Sequence, residues 1–196
     1  MSASLIPPLI DENVQTLNQL NQLLGSVSTQ DYQRPLGAKA TQTLGKHVRH
    51  IIEHYQTLLD ACAESSNPIT FDYEQRQREM ALETQPSGAR NRVEALQAGL
   101  NALATLPYDR PLTLSYPVEI GVEIAVGTGE INDALPLPTS LGRELAFLTS
   151  HSIHHMALLS LLCEQLGIVL PTHFGVHPST LRYWEQHTDI KLSKFG

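Results

Sequence analysis

TSLGRELAFLTSHSIHHMALLSLLCEQLG, residues 139–167, is the stretch that decides the fold. It begins with Thr139 and Ser140, either of which can cap a helix N-terminus, and it ends at Gly167, a residue type that commonly terminates helices. Between these signals one helical face is mostly leucine, which is typical of the core-facing side of a helix. The segment is therefore predicted to form a long helix, the fourth of four long helices in the chain.

Three further amphipathic segments precede this helix. In each of them apolar residues recur at spacings of three and four, which is the spacing of one helical face. The first runs from about Leu9 to Leu24 and the second from about Ala40 to Ala63. The third covers Tyr73–Thr84 and Ala89–Leu106 with an interruption near Pro86 and Gly88, and a loop is the alternative for its first half. A short final helix is predicted from Pro178 through Glu185.

The segment between the third and fourth helices has a different pattern of apolar and polar residues. Residues 111–138 alternate apolar and polar side chains with Gly and Pro between them, which predicts two or three short strands. The run VGTGE at 126–130 lacks a GxGxxG motif and a phosphate-binding lysine, so it is interpreted as a turn. The pattern favours an all-α fold, a four-helix bundle with a short β-hairpin excursion between helices 3 and 4, forming one domain over residues 1–196.

Composition argues against several classes of function. The chain has 13 Lys plus Arg against 20 Asp plus Glu, a net charge of -7, and no basic cluster, so nucleic acid is not an expected partner. No signal-peptide pattern and no uninterrupted run of about 18 apolar residues is visible, which predicts a cytoplasmic protein with no membrane partner. Cys62 and Cys163 fall on apolar helical stripes and are interpreted as reduced core thiols.

Two histidines interrupt the apolar face of the fourth helix. His151 and His155 are one turn apart, the spacing that lets two imidazoles reach a common ion, while His154 points to the flank. Burying an imidazole without a partner costs about 1–3 kcal/mol, so the pair requires hydrogen bonds, charge pairing or a metal. An isolated HxxxH pair is more often hydrogen-bonded or exposed than metal-binding, so the interpretation depends on a second helix.

The second predicted helix carries His47, His50 and His54 at three- and four-residue spacings. Any of them could supply a third ligand from a facing helix. The apolar stripe of this helix is centred near Leu44, Val48, Ile51 and Tyr55. His47 and His54 flank that stripe closely and His50 lies farther round, so periodicity alone leaves the third ligand open.

Charged residues of these helices allow two interpretations. Glu144 shares a face with His151, two turns earlier, so it could hydrogen-bond a ligand histidine or Arg49 on another helix. It could equally be a first-turn acid that the helix dipole favours. Glu53 and Arg143 fit ordinary surface charge.

The combination of these segments resembles a known family. TLGKHVRHI in the second helix, strands after the third, and TSLGRELAFLTSHSIHHMALL followed by LG in the fourth are similar to the DinB-like (DinB/YfiT) superfamily of metal-binding four-helix bundles. The resemblance spans about Leu9 to Leu170. In that family one second-helix histidine between aliphatic residues joins the HxxxH pair, and His50 has Val48 and Ile51 in these places.

The resemblance implies a metal site with a defined ligand set. The triad would be His50, His151 and His155 around a divalent ion, either zinc, nickel or iron, with three further residues as supporting or alternative ligands: His47, His54 and Glu144. Some relatives carry a carboxylate two residues after the last histidine, where this chain has Ala157. An open coordination position would follow, as in catalytic zinc sites.

The expected function follows from the same resemblance. It implies a metal-dependent enzyme, either a thiol-dependent transferase or isomerase or a hydrolase, acting on a small molecule with a low-molecular-weight thiol as partner. The alternative is a non-catalytic metal- or ligand-binding bundle module. A homodimer formed through a helix face is expected in either case. The residues do not indicate the substrate or a catalytic side chain.

Overall fold

The computed structural model describes residues 6–64, 68–75, 77–117 and 134–192. The long helices that form the body of the protein are α1 (Ile6–Ser26), α3 (Leu44–Ala63), α5 (Pro86–Ala102) and α6 (Leu141–Gln165). The other elements are α2 (Thr29–Gln33), α4 (Ala81–Thr84), a 3-10 turn (Leu103–Thr105), α7 (Pro178–Leu192), β1 (Thr70–Phe71), β2 (Pro111–Pro117) and β3 (Ala134–Ser140). The mainly helical class predicted from the sequence is confirmed, and the strands form one small three-stranded sheet among the described residues.

The core lies between the long helices. α1 contacts α5 and α6, and α3 contacts the same two helices. Each of the four supplies buried side chains to one cluster, among them Leu17, Leu20, Ile51, Leu58, Val93, Leu96, Leu145 and Leu148. Burying such a side chain stabilises the fold by about 1.5–3 kcal/mol, so the apolar stripes hold the helices together.

Both ends of α6 follow the signals in the sequence. Of the two candidate caps, Ser140 is the N-cap, and its hydroxyl accepts a hydrogen bond from the Arg143 backbone N–H. The Thr139 hydroxyl donates instead to the Glu144 carboxylate, at 2.6 Å. The helix ends before Gly167, whose φ of 70° lies in the left-handed region that glycine adopts at low cost.

The starts of two other helices differ from the prediction. α1 begins at Ile6, so Pro7 lies in its first turn, where the missing N–H has no intrahelical partner in any case. α3 begins at Leu44 rather than near Ala40. Ala40 has a φ of 49°, which is incompatible with a helix, and Thr43 is the N-cap that accepts from the Lys46 backbone N–H.

Two segments contain more helix than predicted. The segment between the first and second predicted helices includes α2, a short helix whose N-cap Ser28 accepts from the Asp31 backbone N–H. The final helix begins at Pro178 as predicted but continues to Leu192. Residues 73–75 and 77–80, for which the sequence allowed either a loop or the first part of the third helix, precede α4 and are not helical.

The sheet has the order β1-β2-β3. β2 and β3 are antiparallel and pair from Pro111 opposite Ser140 to Pro117 opposite Ala134, as expected for a hairpin, while β1 is parallel to β2. β1 was not predicted because two residues are too few to show alternation. Residues 118–133, which include the predicted turn at 126–130, lie outside the described residues. β3 carries Pro136 and Pro138 at alternate positions.

One helix among the described residues, α6, is long and apolar enough to cross a membrane by length and composition. A helix in the core of a protein passes the same test. The buried side chains of α6 include Leu141, Leu145, Leu148 and Leu159, and the helix packs on α1 and α3.

Candidate metal centre

Three imidazoles from two helices converge. His50 of α3 and His151 and His155 of α6 each offer a ring nitrogen, and these nitrogens lie within 4.8 Å of one another. The Nε2 atoms of His50 and His151 are 3.0 Å apart. Two imidazole nitrogens bound to one tetrahedral zinc lie about 3.3 Å apart, a value that follows from Zn–N distances of about 2.0–2.1 Å. The three residues could therefore hold a metal ion.

The helices that carry the triad run in opposite directions. His47 lies beside His155 and His50 beside His151, so one turn along α3 corresponds to one turn back along α6. The triad histidines are half-buried, whereas Leu148 and Leu159 of α6 are fully buried. The site thus lies at the margin of the helix contact and not in the leucine core, where the apolar face of α6 had placed His151 and His155.

We call this margin the α3–α6 edge and define it by the half-buried side chains of His47, His50, Phe147, His151 and His155. The helical periodicity of α3 had placed His50 away from the apolar stripe. Its position at the edge agrees with that geometry, because the partners on α6 lie at the edge as well. His154 is exposed, as its place on the flank of α6 predicts.

His47 contacts a member of the triad. Its Nδ1 lies 3.1 Å from the Nδ1 of His155, so one ring donates and the other accepts. With its Nδ1 in this contact, His155 would bind a metal through Nε2. Burial lowers the pKa of His47, and the nearby positive charges of His154 and Lys46 lower it further. The lowered pKa favours a neutral His47, which can accept a hydrogen bond from His155.

His54 packs against two members of the triad. It is buried, and its Nδ1 donates to the backbone carbonyl of His50 at 2.8 Å, because a carbonyl oxygen can only accept. Its ring centroid lies 4.3 Å from that of His50 and 4.2 Å from that of His151. His54 is therefore placed to orient the two rings beside it.

Glu144 is fully buried and lies at the centre of a polar cluster. It accepts hydrogen bonds from the Tyr73 hydroxyl at 2.9 Å and the Thr139 hydroxyl at 2.6 Å, and it pairs with Arg143 at 2.8 Å. These partners differ from the ligand histidine or Arg49 that the sequence had suggested. The carboxylate joins the loop after β1, the end of β3 and the first turn of α6.

Arg49 pairs with other carboxylates. Its guanidinium lies 3.1 Å from Glu83 and 3.5 Å from Glu53. Glu53 is buried, and its Oε1 also accepts from the backbone N–H of Glu79. The interpretation of Glu53 as ordinary surface charge was therefore wrong, because the loop before α4 covers it.

Two aromatic residues that were not predicted from the sequence, Tyr73 and Phe147, pack beside the imidazoles. The Phe147 ring lies 5.3 Å from His151, the Tyr73 ring stacks on His54 at 5.1 Å, and the two aromatic rings are 5.3 Å apart. Burial and the Glu144 carboxylate raise the pKa of Tyr73, so its hydroxyl stays a donor. Phe147 is four residues before His151, a spacing that could have indicated it, whereas Tyr73 lies in a loop with no periodic signal.

A cavity of about 720 Å³ lies next to α3, and no residue of the triad lines it. Its lining includes Glu53, Gln56, Asp60, Phe71 and Glu79, and none of the histidines.

The cysteines are buried and free, as predicted. Burial raises the pKa of Cys163 to about 11 and raises that of Cys62, on which Arg110 has a smaller opposite effect. Both thiols remain protonated at neutral pH, which makes them poor nucleophiles.

Comparison with known proteins finds a protein that is similar to part of this chain. No family model matches the chain. Over 120 residues it is 30% identical to a protein of Rhizopus delemar named FK506-binding protein 5, a match that covers 61% of this chain and 29% of that protein. The chain thus spans less than a third of the length of the relative it matches. This similarity does not establish a family, and the DinB-like assignment stays a prediction.

Proposed function

We propose that this protein is a divalent-metal-dependent enzyme of the DinB-like type, in which His50, His151 and His155 hold the ion. The observation that carries the proposal is the approach of three imidazole nitrogens from two helices to within 4.8 Å. Imidazole ligands suit zinc, nickel and iron, which are the ions proposed here. The scaffold is proposed to be a four-helix bundle of α1, α3, α5 and α6, whose contacts connect each helix to two others.

The proposed reaction class rests on the donor set. When bound, a divalent ion with three imidazole ligands supplies Lewis acidity and an open position for water or a low-molecular-weight thiol. Neutral imidazoles leave the charge of the ion uncompensated, and Ala157 adds no carboxylate. We assign the protein to thiol-dependent transferases or isomerases, or to hydrolases, acting on a small molecule.

The residues around the triad have distinct roles in this proposal. His47 accepts a hydrogen bond from His155 and thereby keeps the Nε2 of that ring unprotonated. Tyr73 and Phe147 cover His54 and one side of His151, which excludes water from that side. We further propose that the protein is cytoplasmic and that two copies form a homodimer through a helix face. Neither nucleic acid nor a membrane is a partner in this proposal.

Metal analysis of the purified protein tests the site. Wild-type protein loaded with zinc and desalted is expected to keep about one ion per chain, as a single three-histidine site requires. The His151→Ala, His155→Ala double variant is expected to lose it. His154→Ala is the matched control, because this histidine lies on the same helix but is exposed. Equal metal content in the double variant and the wild type would show that the site is wrong.

A second candidate function is a non-catalytic metal- or ligand-binding module. The cavity of about 720 Å³ favours this second function, because a ligand bound there would not contact the triad residues, none of which lines it. Thermal unfolding with and without a chelator, combined with assays of thiol transfer, distinguishes the two. Strong dependence of the melting temperature on metal without turnover supports the module, whereas turnover that stops on chelation supports the enzyme.

A further inference from the structure

Four residues of α6 form a continuous row from solvent to the triad. Arg143, Phe147, His151 and His155 recur every four residues, so they lie above one another on the helix. The guanidinium carbon of Arg143 lies 5.4 Å from the Phe147 ring centroid, Phe147 lies 5.3 Å from His151, and His151 lies 4.7 Å from His155. A cation, an aromatic ring and two ligand imidazoles thus follow in order.

The cation at the outer end of this row is held in position. The Arg143 side chain is 58% exposed, yet its Nη1 contacts the fully buried carboxylate of Glu144 at 2.8 Å. Tyr73 and Thr139 donate to the same carboxylate and hold it in place. A guanidinium has five N–H donors in a planar fork, and the contact with Glu144 engages only one of its nitrogens. The exposed part of Arg143 therefore remains available for a second acceptor.

The charge of the edge suits an anion although the molecule is acidic. With three neutral imidazoles a divalent ion keeps its full charge. Arg143 at one end and Lys46, next to His47 at the other, add positive charge, and the Glu144 carboxylate partly offsets that of Arg143. The half-buried Phe147 offers an apolar surface between the triad and Arg143.

We infer that the α3–α6 edge binds a carboxylate-bearing ligand, whose carboxylate contacts Arg143, whose apolar middle lies on Phe147 and whose other end reaches the triad. This inference rests on the proposed metal site and adds a substrate class to it. The Cα atoms of Arg143 and His151 are two turns apart, about 12 Å along a helix, so the ligand is elongated. A planar carboxylate matches the fork of Arg143, which a lysine cannot reproduce.

The experiment uses cobalt-loaded protein and two probes of equal length. Mercaptooctanoic acid and mercaptooctanol carry the thiol at the end opposite the acid or alcohol, and thiolate binding to cobalt is followed by its charge-transfer absorption. The acid is expected to bind wild type about five-fold more tightly than the alcohol, as is reasonable for a partly exposed ion pair. Arg143→Gln is expected to remove this preference and Arg143→Lys to retain part of it.

Arg182 supplies the matched control. Its side chain is 56% exposed and pairs with Glu12, but it lies on α7. Arg182→Gln is therefore expected to keep the preference for the acid. A protein that binds no cobalt overturns the metal site and this inference together. A protein that binds cobalt but binds acid and alcohol alike, binds neither, or keeps its preference in Arg143→Gln overturns this inference alone.

Discussion

At the scale of single residues, the contact between His47 and His155 connects the site to its surroundings. The two Nδ1 atoms are 3.1 Å apart. Groups that accept from the second nitrogen of a ligand histidine fix its tautomer, and their loss typically weakens metal binding 10- to 100-fold. His47→Phe is therefore expected to weaken zinc affinity about 10-fold, measured by competition with a chelating dye.

Two other variants give this prediction its control. His47→Gln keeps an acceptor and is expected to bind zinc nearly as tightly as wild type. Lys46→Gln changes an exposed neighbour and is expected to have little effect. If His47→Phe binds zinc with wild-type affinity, the contact with His155 does not support the site.

The buried cysteines allow a prediction about reactivity. Since burial raises the pKa of Cys163 to about 11, only about a thousandth of this thiol is ionised at pH 8. Cys62 is also buried, with its pKa raised. Both are expected to react slowly with a disulfide reagent in the folded protein at pH 8 and fully in denaturant. A thiol that reacts in the folded state as fast as free cysteine would contradict this assignment.

The residues of the site differ in how far the sequence could predict them. His151 and His155 follow from their spacing on one strongly apolar helix. The periodicity of α3 left His47, His50 and His54 open, and the choice of His50 required the family resemblance, because the site lies at the helix margin. Tyr73 could not be predicted, since its contacts with His54 and Glu144 depend on how a loop folds over the helices.

At the scale of elements, the approach of α3 to α4 depends on a glycine. A Cβ added at Gly45 would lie 2.0 Å from the backbone oxygen of Glu83, so one of the two helices would have to move. Gly45→Ala is therefore expected to lower the free energy of unfolding by about 2 kcal/mol or more despite the better helix propensity of alanine. Urea denaturation measures this change.

Gly88 of α5 is the control for that substitution. The nearest atom to a Cβ added there is 3.7 Å away, an ordinary contact. Gly88→Ala is expected to leave the stability unchanged or raise it by up to about 1 kcal/mol. A similar loss of stability in both variants would show that close packing on Glu83 is not the cause.

Elements with local signals were predictable and those without them were not. The ends of α6 follow from Ser140 and Gly167, whose backbone and side-chain chemistry acts within one turn. α2 and β1 are too short for a periodic pattern, and β1 exists because it pairs with β2, which is distant in sequence.

At the scale of the whole molecule, a bound ion would connect segments that are far apart in the chain. His50 and His151 are 101 residues apart and lie on different helices. A ligand that binds only the folded state stabilises it, by about 2.7 kcal/mol when its free concentration is 100 times Kd. Zinc is therefore expected to raise the melting temperature of the metal-free wild type and to leave the His151→Ala, His155→Ala variant unchanged.

The metal-free protein is expected to remain folded in the same experiment. Its core is formed by apolar side chains of the four long helices, none of which requires an ion. Circular dichroism before and after chelation checks this expectation. Loss of helix on chelation would mean that the ion is needed for folding itself, as in small zinc domains.

The prolines of β3 restrict how copies of this chain could associate. β3 pairs with β2 along its full length, so Pro136 and Pro138, which have no N–H, fit the ladder only if they face away from β2. That outer side then offers carbonyl groups without the alternating donors that an incoming strand requires. Continuous sheets running from one molecule into the next are disfavoured on this side, which protects the hairpin against fibril-like stacking.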